Sequence, residues 1–149
     1  MQHRYALASL AAAAALAAAT PPAQALTSGQ TPAGFDFIVG GIGADELARM
    51  AAESTAHSLS LRLATRVTGA YLADVVVQIN DSAGQRVFKG RLDAPWLLIS
   101  LPPGRYSITA VYEGEVERAE VIVPAHGQRS VIMRFLADSG LRLEPGEEP

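Results

Sequence analysis

Tyr106-Ser107-Ile108-Thr109-Ala110-Val111-Tyr112-Glu113-Gly114-Glu115-Val116-Glu117-Arg118-Ala119-Glu120-Val121-Ile122-Val123 is the stretch that decides the fold class. Tyr106, Ile108, Ala110 and Tyr112 recur at a period of two, which puts them on one face of an extended strand. Ala119, Val121 and Val123 repeat that period on the return, and Glu113-Gly114 between the two halves has the length and the glycine of a tight hairpin turn. Pro102-Pro103-Gly104 just upstream reads as a type II turn, with Pro103 presetting φ and Gly104 supplying the positive φ that follows.

The same grammar extends in both directions. Downstream, Pro124 to Gln128 is a turn and Val131, Met133 and Phe135 form a further strand. Upstream, Trp96 to Leu101 is a nearly continuous apolar run, too apolar to face water on both sides. Arg86 to Leu92 is a strand joined through Asp81-Ser82-Ala83-Gly84 to an alternating Val75, Val77, Ile79. Leu59, Leu61 and Leu63 alternate with Ser60 and Arg62, and Phe35 to Val39 is the first strand. One segment breaks the pattern. In Asp45 to His57 the apolar or small residues Leu47, Met50, Ala51 and Ser54 fall at helical spacing. Asp45 and Glu46 stand at the N-terminal end and His57 at the C-terminal end, as the helix dipole favours. These signals predict a mainly β chain, an antiparallel Ig-like sandwich of about seven strands with one short N-terminal helix.

The first 25 residues obey different rules. His3 and Arg4 precede an unbroken apolar and small-residue stretch from Ala6 to Ala19. Thr20-Pro21-Pro22 ends it, and Ala23-Gln24-Ala25 offers the small-x-small site that a signal peptidase reads. The run is mostly alanine and has no charged stop-transfer flank, so it predicts a cleaved signal peptide and no membrane span after cleavage. The organisation expected is a signal peptide at 1–25, a flexible Ser/Thr/Gly/Pro-bearing linker at 26–34, the β domain at 35–136 and a disordered acidic tail at 137–149. The destination is the periplasm or the medium. There is no cysteine, so stability rests on the core with no disulfide, and acylation as a lipoprotein is excluded. A net charge of −3 argues against nucleic acid and anionic membrane surfaces as partners.

Leu101-Pro102-Pro103-Gly104-Arg105-Tyr106 together with the hairpin after it resembles the carboxypeptidase regulatory-like domain, a transthyretin-like sandwich. Gly40-Gly41-Ile42-Gly43, Tyr71-Leu72-Ala73-Asp74-Val75 and Asp93-Ala94-Pro95-Trp96 extend the resemblance to a set of small exported proteobacterial proteins carrying that domain, over roughly residues 37–135. The resemblance implies a fold and no shared catalytic motif. Starch-binding modules are related sandwiches, which adds carbohydrate as a ligand class by analogy.

Chemistry-bearing patterns are sparse. Gly41-Ile42-Gly43 is similar to a dinucleotide loop, but Glu46 stands where the third glycine belongs and would repel a phosphate. His57 and His126 lack metal-ligand spacing. Glu113, Glu115, Glu117 and Glu120 read as a solvated edge that discourages strand addition. Ser60 and Ser100 read as strand residues. Trp96 is expected as a core anchor between the two sheets, and Tyr106 as core beside Ile108. Tyr71 and Tyr112, next to turns, are the residues expected to reach solvent and to contact a ligand or partner. The sequence therefore predicts a noncatalytic module with no cofactor and no metal. It would bind an envelope protein through a sheet face or edge strand, with a glycan as the alternative. Export is checked by intact-mass measurement on the periplasmic fraction: the expected species begins at Leu26, and full-length protein in the cytoplasm refutes it.

Overall fold

The computed structural model describes residues 26–136, so the expected signal peptide at 1–25 and acidic tail at 137–149 lie outside the described residues. In chain order the elements are β1 (Thr27–Gln30), β2 (Asp36–Gly40), α1 (Ala44–Ser54), β3 (Leu59–Thr65), β4 (Val75–Asp81), β5 (Arg86–Leu92), β6 (Trp96–Ile99), β7 (Gly104–Tyr112), β8 (Glu115–Val123) and β9 (Arg129–Phe135). The described chain is mainly β, with two sheets and one short helix. One sheet has the order β1-β2-β6-β3-β9, the other β5-β4-β7-β8.

Among the described residues nine strands stand where about seven were expected, and the one that periodicity misses altogether is β1. Thr27 to Gln30 was expected as linker. It pairs antiparallel with β2, Thr27 opposite Val39 and Gln30 opposite Asp36. The first sheet is also not purely antiparallel: β9 runs parallel to β3, with Leu59 opposite Arg129 and Thr65 opposite Phe135. In the hairpin, Glu113 (φ 46°) and Gly114 (φ 81°) both take the left-handed region, as a type I′ turn requires. Gly104 departs from the type II expectation. Its φ of 153° is far more extended than that turn's third residue, and it already pairs with Val123 as the first residue of β7.

Alternation sorts the side chains into a single core between the sheets. Leu59, Leu61, Leu63, Leu97, Ile99, Met133 and Phe135 come from the first sheet; Val75, Val77, Ile79, Phe88, Leu92, Ile108 and Ala110 come from the second. Tyr106 joins them and donates its hydroxyl to the Pro102 carbonyl at 2.7 Å, tying the Pro-Pro-Gly turn to the strand it launches. Burial, with Asp81 nearby, raises its pKa, which keeps the phenol in the donating form.

The expectation for Trp96 needs correcting. It is buried, at 4% exposure, but not between the sheets. Trp96 and Leu98 point to the opposite side of β6 from Leu97 and Ile99 and pack with Met50 under α1, alongside Leu26, Ile38 and Leu47. The indole nitrogen donates to Ser60 Oγ at 2.8 Å, and the Arg62 guanidinium lies 3.9 Å over the ring. The helix therefore forms a third layer, with its apolar stripe on the outer face of the five-stranded sheet. Gln128, from the β8–β9 turn, holds the other end by donating to the carbonyls of Ser54 and His57. The Ser54 carbonyl ends the helix and also accepts the His57 N–H at 3.1 Å, so Gln128 fastens the turn that leads out of α1. Trp96→Ala is expected to cost about 3–5 kcal/mol and to raise amide exchange in α1 before it does so in β4 or β7. Denaturant titration with hydrogen exchange by segment measures both. Equal exchange in all three elements contradicts the layer assignment.

Candidate functional site

A cleft of about 420 Å³ opens between β1 and β5, the edge strands of the two sheets. Its apolar lining is Phe37 and Val39 from β2 with Phe88 and Leu92 from β5. Gln30 and Thr31 stand on one rim and Lys89, Arg91 and Asp93 on the other. The floor is aromatic: the Phe37 and Phe88 rings meet edge to face, 5.4 Å between centroids at 76°.

Local rules set each wall. Gly29 lies directly opposite Phe37, and a Cβ at Gly29 would sit 3.1 Å from the ring, so the glycine lets the phenyl group lie across β1. The β1–β2 connection is held by Thr31. Its backbone N–H donates to the Phe35 carbonyl at 2.9 Å, and its buried hydroxyl accepts the Phe35 N–H at 3.1 Å. Gln30 Nε2 donates to Asp36 Oδ1 at 2.8 Å across the same pair. On the facing wall, Phe88 and Leu92 are buried while Lys89 and Arg91 are exposed, with Gly90 half-buried between them. Arg86, Lys89 and Arg91 have no ion pair among the described residues. By contrast, two carboxylates of β8 are paired, Arg66–Glu117 at 3.0 Å and Arg105–Glu120 at 3.4 Å.

That contrast distinguishes the two open sides of the molecule. Between β8 and β9 there is also a recess, shallow and about 500 Å³, with exposed Ile122 and Ile132. It is laced across. Arg66 bridges to Glu117, Arg129 Nε donates to the Ile122 carbonyl at 3.1 Å, and the Leu136 N–H donates to the Glu115 carboxylate at 2.8 Å. No such hydrogen bond or ion pair spans β1 and β5 among the described residues.

The residues singled out from sequence are scattered relative to this cleft. Tyr71 is 49% exposed and forms an isolated bridge with Ala64 on β3. Tyr112 is half-buried instead of open to solvent, because its ring packs edge to face on Phe135 at 5.9 Å. Neither lines the cleft. Glu46, read as a repeller of phosphate, fills the Gly40–Gly43 turn itself: its Oε1 accepts the N–H groups of Gly41 at 3.1 Å and Ile42 at 3.5 Å. The loop's donors are taken by the chain's own carboxylate. Among the described residues no group of three or more His, Asp or Glu is gathered to hold a metal.

Ser100, expected as a strand residue, lies just after β6, its hydroxyl 2.9 Å from Nδ1 of His57. Ser58 beside them donates to the Leu101 carbonyl and accepts the Leu101 N–H, both at 2.8 Å. The pair joins the end of α1 to the end of β6 and lies away from the cleft. Burial lowers the His57 pKa, and the Glu53 and Asp36 carboxylates oppose that shift. The neutral form is therefore the native one. The unfolded chain binds the proton more readily below pH 6.5, the ordinary histidine value. The stability this residue contributes is complete above that pH and is lost as pH falls toward and through the lowered native value. Between pH 7 and 5 the melting temperature of His57→Asn is expected to fall less than that of the parent. Parallel curves in a thermal-melt series refute the assignment.

What signal could have revealed the cleft in the sequence is slight. Phe37, Phe88 and Leu92 read as ordinary strand residues, and Thr27 to Gln30 carries no apolar alternation. Pro32-Ala33-Gly34 is the turn signal that, paired with a short strand before it, marks the hairpin. No protein-family model matches this chain and no curated protein matches it significantly, so what the cleft does rests on its geometry.

Proposed function

We propose that this protein is a noncatalytic binding module of the periplasm or cell envelope, built on a transthyretin-like sandwich of the carboxypeptidase regulatory-like kind. It takes its partner in the cleft between β1 and β5. The observation that carries this reading is the combination in one place of an apolar aromatic floor, an unlaced side between two sheets and a polar rim whose two cations, Lys89 and Arg91, form no ion pair among the described residues. Sites that hold ligands are concave, mainly apolar and few in number, with a small number of polar groups at the mouth. A glycan reading draws on Tyr71, whose half-exposed ring stands alone because Tyr112 is engaged with Phe135.

Position-specific photocrosslinking of the full-length chain in its native host tests this. Crosslinkers at Gln30 and Lys89 are expected to give discrete adducts, and one at Arg118 on β8 to give none. Gly90→Leu is the blocking variant: a Cβ there makes ordinary contact with the Phe88 ring, at 3.6 Å, so the backbone accepts a side chain on the cleft face. It is expected to reduce the adducts at least tenfold without lowering the melting temperature by more than a few degrees. Adducts equally strong from Arg118, or unaffected by Gly90→Leu, refute the cleft as the site. Glycan-array binding abolished by Tyr71→Ala would favour carbohydrate instead.

A further inference from the structure

From the placement of charge along β5 we infer that the cleft receives an extended segment of a partner polypeptide in which acidic residues alternate with apolar ones. The segment adds as a strand to the free edge of β5. This inference rests on the reading of the β1/β5 cleft as the binding site and specifies its occupant.

Strand β5 ends its sheet: its one partner is β4, and its other edge faces the cleft. An edge with free backbone groups is a template for another strand. From Phe88 to Asp93 the cleft follows β5, and at about 3.3 Å per residue that length suits roughly five or six residues of extended chain. The two faces of β5 then dictate what the guest must carry. Phe88, Gly90 and Leu92 face inward, opposite the buried Ile79, Val77 and Val75 of β4. Lys89 and Arg91 face outward, opposite Gln78 and Val76. A strand laid beside β5 shares this alternation, because side chains directly opposite one another lie on the same face.

Guest residues beside Phe88, Gly90 and Leu92 therefore enter the apolar cleft, and those beside Lys89 and Arg91 stand between two cations with no ion pair of their own among the described residues. Acidic residues are selected there by charge. The inward position beside Gly90 has the most room, since the glycine contributes no side chain and its nearest neighbour is the Phe88 ring. A large or aromatic residue fits that position best, as aromatic groups do when they cover an edge glycine. The preferred pattern is apolar, acidic, aromatic, acidic, apolar. The cations also act against other guests: lysine and arginine on an edge deter neutral and basic strands. They deter an acidic one least, so a single set of side chains both guards the edge and selects what may occupy it. The opposite edge, β8, lacks this character because Glu117, Glu120 and the Ile122 carbonyl are already engaged with arginines.

The test uses fluorescently labelled peptides with a Val-Glu-Phe-Glu-Val core between Gly-Ser flanks, a Val-Lys-Phe-Lys-Val counterpart and a scrambled Glu-Glu-Val-Val-Phe. Each is titrated into the mature chain and followed by anisotropy. The alternating acidic peptide is expected to bind at least tenfold more tightly than either control. Its affinity should fall as salt rises, and bound peptide should protect β5 amides from exchange while leaving β8 unchanged. In the double variant Lys89→Glu/Arg91→Glu, both positions exposed and outside the core, the preference is expected to invert toward the lysine peptide. Equal binding of all three peptides, a preference that survives the double reversal, or protection on β8 overturns the inference. So does self-association of the chain that the acidic peptide does not compete away. Absence of peptide binding while the Gly90→Leu-sensitive crosslinks persist rejects the peptide and leaves the cleft standing. Absence of both rejects the cleft as well.

Discussion

Strand β6 is apolar on both faces, and the rest of the structure follows from having to cover each of them. Trp96, Leu97, Leu98 and Ile99 are all buried. Such a strand cannot sit in a sheet with one wet face, which is what an ordinary antiparallel pairing allows. Leu97 and Ile99 are covered by the second sheet, and Trp96 and Leu98 by α1. The strand is accordingly central, hydrogen-bonded to β2 on one side and β3 on the other, with both neighbours antiparallel to it. Its position makes β2 and β3 parallel to each other and gives the helix between them its place across the outer face.

The polar contacts mark where those layers are fastened. Trp96 must bury an indole N–H, and Ser60 on the adjacent strand accepts it; without that partner the buried donor would be a liability comparable to a lost hydrogen bond. At the start of the helix Glu46 turns back to satisfy the glycine turn, and at its end Gln128 reaches in from the β8–β9 turn. Ser58, His57 and Ser100 connect the same end to β6. The layer is thus tied at its start by a local turn and at its end by groups distant in sequence, which accounts for how a helix of only 11 residues is held in place.

Covering β6 so thoroughly leaves the margins of the two sheets to differ. The β8/β9 margin is closed by Arg66 reaching Glu117 and Arg129 reaching the Ile122 carbonyl, whereas the β1/β5 margin is left as a cleft with an aromatic floor. The difference is one of side-chain length and charge as much as of backbone. Arg66, Arg105 and Arg129 reach partners, while Lys89 and Arg91 project from the outer face of an edge strand and form no ion pair among the described residues. The proposed binding site is on the side of the molecule that folding left open.

Much of the secondary structure was legible in the residues themselves because it depends on period. The bounds of β5 and the hairpin with its Glu113-Gly114 turn come from alternation and from glycine's tolerance of positive φ, both local properties. The run from Trp96 likewise declared itself too apolar to face water on both sides. What covers each face was not local. That α1 rather than the second sheet takes Trp96, that β9 returns parallel to β3, and that Tyr112 turns onto Phe135 were all decided by tertiary packing. β1 shows the limit most clearly: Thr27-Ser28-Gly29-Gln30 has no apolar alternation, and it is a strand because β2 offers a free edge and Phe37 a ring for Gly29 to lie against. The cleft was equally out of reach, since it belongs to a distance between two edges and to no segment of chain.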